Sequence, residues 1–134
     1  MKFKLCISII SSVLLFSPLT AKELSITKQI EFSKPTKAKT VVGLVKGFDS
    51  KKYEVKVNAQ QSLSVDLDSD MVCFNIYSPY KKREDGALFR GKSQGKHFKA
   101  DGLKEGVYII RVYLRTKEAE EDTKRIFEMR VGLK

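Results

Sequence analysis

Gly106-Val107-Tyr108-Ile109-Ile110-Arg111-Val112-Tyr113-Leu114 is the stretch that decides the fold of this chain. Bulky apolar residues recur at every second position of it, from Tyr108 to Leu114, and a period of two places them on one face of a β-strand. The intervening positions include Ile109 and Tyr113 and are too apolar for a face fully exposed to water. We therefore predict a central strand that is covered on both sides.

The same alternation recurs along the chain between polar turns. Tyr53–Val57 and Leu63–Leu67 alternate in this way, and the short polar link 58–61 between them favours a hairpin. Many short strands with frequent turn signals are typical of a sandwich or barrel. We predict an all-β fold, an antiparallel β-sandwich of about eight to nine short strands. The other candidate strands are Leu24–Phe32, Thr40–Lys46, Met71–Tyr77, Ala87–Arg90, Lys96–Ala100 and Phe127–Val131.

The N-terminus has the layout of a secretory signal peptide. Lys2 and Lys4 precede an apolar run, and Pro18–Ala21 follows it, which predicts cleavage after Ala21. The run is shorter than the roughly 20 residues of a membrane span, so no stable membrane insertion is expected. We predict a signal peptide over 1–21, a single domain over 22–134, and a periplasmic or secreted location. The mature chain keeps one cysteine, Cys73, in an apolar run that favours burial, and it can form no internal disulfide.

The charge balance indicates acidic partners. The net charge is +10, or +8 once the two lysines of the signal peptide are removed. Such a protein is attracted to anionic glycans, lipid headgroups, nucleic acid or an acidic protein cleft, although a lysine-rich surface also serves solubility alone. We expect no nucleic-acid partner, because an exported protein rarely meets nucleic acid and no nucleic-acid-binding signature is present.

No constellation of residues in the sequence indicates catalysis, a metal or a cofactor. Asp66, Asp68 and Asp70 lack the glycine and glutamate that an EF-hand loop places at its sixth and twelfth positions. His97 is the only histidine, and Cys73 as its nucleophile would have to be exposed and activated. We therefore predict a protein that is not an enzyme, with no catalytic residues, no metal ligands and no cofactor.

Arg111 and the acidic stretch 117–124 allow alternatives. A guanidinium in a covered strand needs a partner, so Arg111 is either paired with Glu128 or a similar acid on the next strand, or placed at the base of a binding loop. The stretch 117–124 lacks an apolar stripe and is expected to form a solvated loop or a single helical turn.

Basic and aromatic residues cluster around the loop between the strands Ala87–Arg90 and Lys96–Ala100. The surface also draws on Lys81-Lys82-Arg83 and Tyr80. We predict a partner-binding site there. Its candidate residues are Arg90, Lys92, Ser93, Gly95, His97, Phe98, Tyr113 and Arg115.

Four segments resemble the bacterial periplasmic lysozyme inhibitors of the g-type and i-type classes, which are small exported β-sandwich proteins. They are Phe74–Pro79, Ala87–Gly91, Ser93–Phe98 and Tyr108–Leu114. The resemblance runs from about residue 53 to the C-terminus and is most specific at 110–114. The chain departs from the family pattern by inserting Gln94 in the Ser-Gly loop and by having Phe98 where the family has tyrosine.

The resemblance implies a function as an inhibitor of lysozyme, a g-type or i-type enzyme being the suspected partner. Such an inhibitor would insert its basic loop into a cleft whose catalytic residues are carboxylates. Ser93 would donate a hydroxyl hydrogen bond, Arg90, Lys92 or Arg115 would supply positive charge, Gly95 would allow a tight turn, and Phe98 or Tyr113 would brace the loop. The alternatives are a module that binds anionic cell-envelope glycan or lipid, and a structural accessory domain without a soluble ligand.

Overall fold

A computed structural model describes residues 25–32, 37–81 and 86–134. The predicted signal peptide, the Lys34-Pro35 boundary between the first two candidate strands, and Lys82 and Arg83 of the basic cluster lie outside the described residues. None of the helices in the described part of the chain is long and apolar enough to span a membrane.

Nine strands and two short helices form in the described residues, which confirms the predicted all-β sandwich. Five strands make one sheet in the order β1-β3-β8-β5-β6, and four make the other in the order β2-β9-β4-β7. The elements are β1 (Ser25–Ile30), β2 (Lys37–Lys46), β3 (Ser50–Val57), β4 (Leu63–Asp68), β5 (Val72–Tyr77), β6 (Ala87–Arg90), α1 (Gly91–Gln94), β7 (His97–Ala100), β8 (Gly106–Leu114), α2 (Thr116–Glu120) and β9 (Lys124–Leu133). All strand pairs are antiparallel except β1 with β3.

β8 is central, as its sequence predicts, with β3 and β5 on either side. Its predicted inward set, from Tyr108 to Leu114, is buried between the sheets. Cover on the outer face is only partial, so the prediction of a strand covered on both sides is wrong for part of its length. Tyr113 near the C-terminal end is 8% exposed, whereas Val107 at the other end is 43% exposed.

The predicted hairpin between β3 and β4 is wrong. The two strands belong to different sheets, and the link between them crosses the end of the sandwich, where the Gln60 backbone N–H donates to the Leu103 carbonyl at 2.8 Å. The apolar faces of both strands, with Val55 on β3 and Val65 on β4, are buried in the same core from opposite sides. Alternation alone does not distinguish this arrangement from a hairpin, because both bury every second residue.

The core between the sheets combines aromatic and aliphatic side chains. Phe74 and Phe127 are the largest fully buried residues, and Ile110 and Met129 are buried with them. Cys73 is 5% exposed, which confirms its predicted burial. Packing of this one core, with no disulfide in the described residues, supplies the hydrophobic stabilisation of the domain.

Glu128, the acid named as an expected partner of Arg111, does not pair with it. Arg111 alternates with buried residues on β8, and Glu128 alternates with buried residues on β9, so the two side chains point away from each other on the outer faces of opposite sheets. The guanidinium carbon of Arg111 lies 4.8 Å from the centre of the Tyr113 ring. The acidic stretch forms the single turn of α2, as expected, followed by a turn that leads into β9.

Candidate functional site

Both helices lie at one end of the sandwich, which we call the α1/α2 end. Register places Ser50 opposite Tyr113 and Val72 opposite Leu114, so the turns before β3 and β5 lie beside the end of β8, where α2 begins. The side chains of Lys92 in α1 and Thr116 in α2 join the two helices, with 3.0 Å between Nζ and Oγ1. The α1/α2 end therefore comprises α1, α2 and the turns 47–49 and 69–71.

Asn75 fixes α1 to the five-stranded sheet. Its Oδ1 accepts a hydrogen bond from the Gly91 backbone N–H at 3.1 Å and a second from the Tyr113 hydroxyl at 2.7 Å. Its Nδ2 donates to the Tyr77 hydroxyl at 3.1 Å. Because Asn75 is only 8% exposed, these partners satisfy polar groups that water reaches poorly. The start of α1 is thus held to β5 and β8 through one amide.

Two glycines, Gly91 and Gly95, allow the chain to pass close over β5 and then to turn. A Cβ on Gly91 would lie 2.5 Å from the carbonyl oxygen of Phe74, which is too close for any side chain, so the backbone of α1 rests directly on β5. Gly95 has φ of +103°, a conformation that favours glycine. The tight turn expected at Gly95 is therefore present, and it directs the chain from the five-stranded sheet into the four-stranded sheet.

Tyr113 forms one wall of a cleft at the α1/α2 end. Burial raises the pKa of its phenol to about 12, so the hydroxyl is neutral and donates to Asn75. The Lys92 ammonium lies 5.6 Å from the centre of the Tyr113 ring, within the range of cation–π attraction. The cleft encloses about 180 Å³. Its lining includes Phe48, Asp49, Lys92, Arg111, Tyr113 and Thr116.

The remaining basic and hydroxyl groups of the α1/α2 end are exposed. Arg90 immediately precedes α1, and its backbone N–H donates to the Gln94 side-chain oxygen at 2.8 Å, so the inserted Gln94 closes the helical turn. The Ser93 hydroxyl has one long contact, 3.4 Å to the Arg90 carbonyl. Arg115 precedes α2 with its side chain in solvent and its backbone bound to Met71. Charged and hydroxyl donors are therefore exposed on a backbone that Asn75 and the end of the five-stranded sheet hold in place.

His97 and Phe98 are placed away from this exposed group. The Phe98 ring packs edge-on against Phe89, with centroids 5.5 Å apart, and so braces the exit of the loop from inside the sandwich. The His97 Nδ1 lies 2.8 Å from Asp66 Oδ1 on the outer face of the four-stranded sheet. His97 is thus remote from Cys73, which is buried in the other sheet, and the two cannot act as a pair.

The sequence interpretation missed several residues of this site. Asn75 could have been recognised as a lone amide inside the apolar run 72–76, because a buried polar side chain needs specific partners. Phe48, which is 47% exposed, and Thr116 carry no comparable signal. They join the cleft only because the turn 47–49 and α2 fold to the same end.

This chain is similar to known proteins in its structure. No family model and no curated protein matches this sequence. The fold is similar to that of PliG from Aeromonas hydrophila, a periplasmic lysozyme inhibitor of g-type lysozyme, with a TM-score of 0.74, 21% identity, and coverage of 84% of this chain and 99% of that one.

Two further solved structures of such inhibitors are similar. A mutant of the Escherichia coli protein PliG-Ec has a TM-score of 0.65 and 16% identity, with 83% of this chain and 99% of that one covered. The Salmonella Typhimurium PliG has a TM-score of 0.64 and 17% identity, with 81% and 98% covered. At these identities the likeness shows a shared fold.

Proposed function

We propose that this protein is an exported inhibitor of lysozyme and that a g-type lysozyme is its first candidate target. The observation that carries the proposal is the match over nearly the whole length of three solved g-type lysozyme inhibitors. The proposal also rests on the α1/α2 end, because fold alone does not imply function. We further propose that the mature protein is the single domain 22–134 and that it acts in the periplasm or outside the cell, without catalysis.

The α1/α2 end offers chemistry that suits a lysozyme cleft. Lysozymes use carboxyl groups to cleave glycosidic bonds, and hydrogen bonds to a charged group contribute about 1.5–3 kcal/mol each. Ser93 supplies a hydroxyl, while Arg90, Lys92 and Arg115 supply cations; all four are exposed. We propose that the α1/α2 end enters the lysozyme cleft and binds its catalytic carboxylates.

Preorganisation supports the same site. The Lys92 ammonium is held by the Thr116 hydroxyl and the Tyr113 ring, and α1 is held by Asn75. A loop that is already fixed loses little conformational entropy on binding, which favours affinity. The exposed Phe48 ring beside the cleft adds an apolar contact of the kind that anchors protein interfaces.

The charge of the protein indicates which targets it associates with fastest. A mature chain of +8 is repelled at long range by a basic lysozyme and attracted by an acidic one. We therefore propose that the physiological target has an acidic surface around its cleft. Rapid association with such an enzyme would slow as salt is added, since exposed charges are screened within about 10 Å at 0.1 M.

The function is tested by adding the purified protein to g-type, i-type and c-type lysozymes acting on cell walls. We expect lysis by at least one g-type enzyme to slow at micromolar protein. Unchanged lysis by every enzyme of the panel would refute the proposed function.

The site is tested with single variants of the inhibitor. We expect Ser93→Ala and Arg115→Gln each to weaken inhibition by about tenfold, the effect of one charge-assisted hydrogen bond. Lys56→Gln is the matched control, because Lys56 is an exposed residue at the opposite end of the five-stranded sheet, paired with Val107. Equal potency of all three variants would move the interface elsewhere.

A further inference from the structure

The outer face of the four-stranded sheet carries a trench that the proposed inhibition does not use. Strand register sets Ala38, Gly132, Ser64 and Lys99 side by side across the sheet. The first three have small side chains, so the surface between their neighbours is depressed. The resulting trench encloses about 460 Å³, a volume typical of small-molecule clefts.

The next row of the sheet forms a charged wall of the trench. It places Arg130 beside Asp66 and Asp66 beside His97. Asp66 Oδ1 lies 2.8 Å from His97 Nδ1. Asp66 makes no ion pair with Arg130, although the two residues are opposite each other in the register of β4 and β9. Among the described residues no ion pair engages the Arg130 guanidinium, and its side chain is exposed.

The floor and the far end of the trench supply further polar groups. A Cβ on Gly132 would lie 2.5 Å from the Ser64 hydroxyl oxygen, so this oxygen lies directly above the Gly132 backbone on the floor of the trench. Within the described part of the chain, the Ser64 hydroxyl has no hydrogen-bond partner. Lys99 and Asp101 line the end near β7, and Lys99 has no ion pair with a described residue. Exposed cations, hydroxyl groups and two carboxylates thus line one small volume.

We propose that this trench is a second binding site, independent of the α1/α2 end, and that it takes a carboxylated saccharide. Arg130 and Lys99 bind the carboxylate of the sugar, since guanidinium and ammonium groups form charge-assisted hydrogen bonds to carboxylates. Asp101 accepts hydrogen bonds from ring hydroxyls, and Ser64 bonds to them as donor or acceptor. A simple inorganic anion fits less well, because it has no hydroxyl group to donate hydrogen bonds to the Asp66 and Asp101 carboxylates.

The test compares three probes by NMR titration of the purified protein. N-acetylmuramic acid differs from N-acetylglucosamine by a carboxyl-bearing substituent, and acetate carries a carboxylate without the ring. We expect millimolar binding of N-acetylmuramic acid, with shifts at Ser64, Lys99 and Gly132. We expect binding of the other two probes to be about tenfold weaker, since each lacks one set of charged or hydroxyl contacts. Equal binding of N-acetylglucosamine or of acetate would overturn the assignment of a carboxylated sugar.

Two variants place the binding in the trench. Arg130→Gln and Lys99→Gln remove the charge and keep a polar side chain, and we expect each to weaken binding of N-acetylmuramic acid by about tenfold while lysozyme inhibition stays at the wild-type level. Lys56→Gln on the other sheet is the control and should bind like the wild type. Shifts that map outside the trench, or wild-type binding by both variants, would overturn the proposal without affecting the proposed inhibition.

Discussion

Asn75→Ala should destabilise the α1/α2 end more than any other single polar truncation there. The substitution removes the acceptor of two hydrogen bonds, one from the Gly91 backbone and one from the Tyr113 hydroxyl. Each buried donor left without a partner costs about 1–3 kcal/mol. We therefore expect the free energy of unfolding to fall by about 2–6 kcal/mol.

The measurement is urea unfolding followed by circular dichroism, a suitable probe because the chain has no tryptophan. Tyr113→Phe removes only one of the two bonds and should cost about 0.5–1.5 kcal/mol. Asn58→Ala makes the same chemical change at an exposed turn position and should stay within about 0.5 kcal/mol of the wild type. An Asn75→Ala protein as stable as Asn58→Ala would refute the role of this amide.

Three further predictions concern the same region. Gly91→Ala should lower the free energy of unfolding by about 1–3 kcal/mol, because its Cβ would meet the Phe74 carbonyl at 2.5 Å; a neutral result in urea would contradict the close approach of α1 to β5. The Tyr113 pKa is raised to about 12, so its contribution to stability is complete below the unfolded pKa near 10 and is lost as pH rises toward 12; ultraviolet titrations of the wild type and of Tyr113→Phe should differ by one phenol that ionises near pH 12, and a missing phenol that ionises near pH 10 instead would contradict the burial of Tyr113. Cys73 is buried, so a thiol reagent should modify it only at the rate of unfolding, and rapid modification of the folded protein would refute its burial.

The strand pattern was predictable because burial has a simple period. Alternation located β8 and β9, since each buries every second residue against a single core, and the apolar character of its second face identified β8 as central. Alternation did not say which sheet a strand joins, so β3 and β4 were expected to form a hairpin although they face each other across the core. The parallel pairing of β1 with β3 likewise leaves no mark on the apolar pattern.

The site was predictable in its charge and not in its geometry. The basic loop stands out in the sequence, and the fold brings Arg90, Lys92 and Ser93 together with the end of β8. The partners of that loop come from distant segments, Asn75 from β5 and Thr116 from α2, so only the tertiary fold reveals them. His97 shares the loop in sequence, but its strand turns it to the outer face of the other sheet.

The most direct test of the account is the rate of a g-type lysozyme on a soluble substrate, measured against increasing concentrations of this protein at two substrate concentrations. If the α1/α2 end occupies the catalytic cleft, inhibition should saturate at one protein per enzyme, and the apparent inhibition constant should rise with substrate. An undiminished rate at micromolar protein, or an inhibition constant that does not change with substrate, would contradict it.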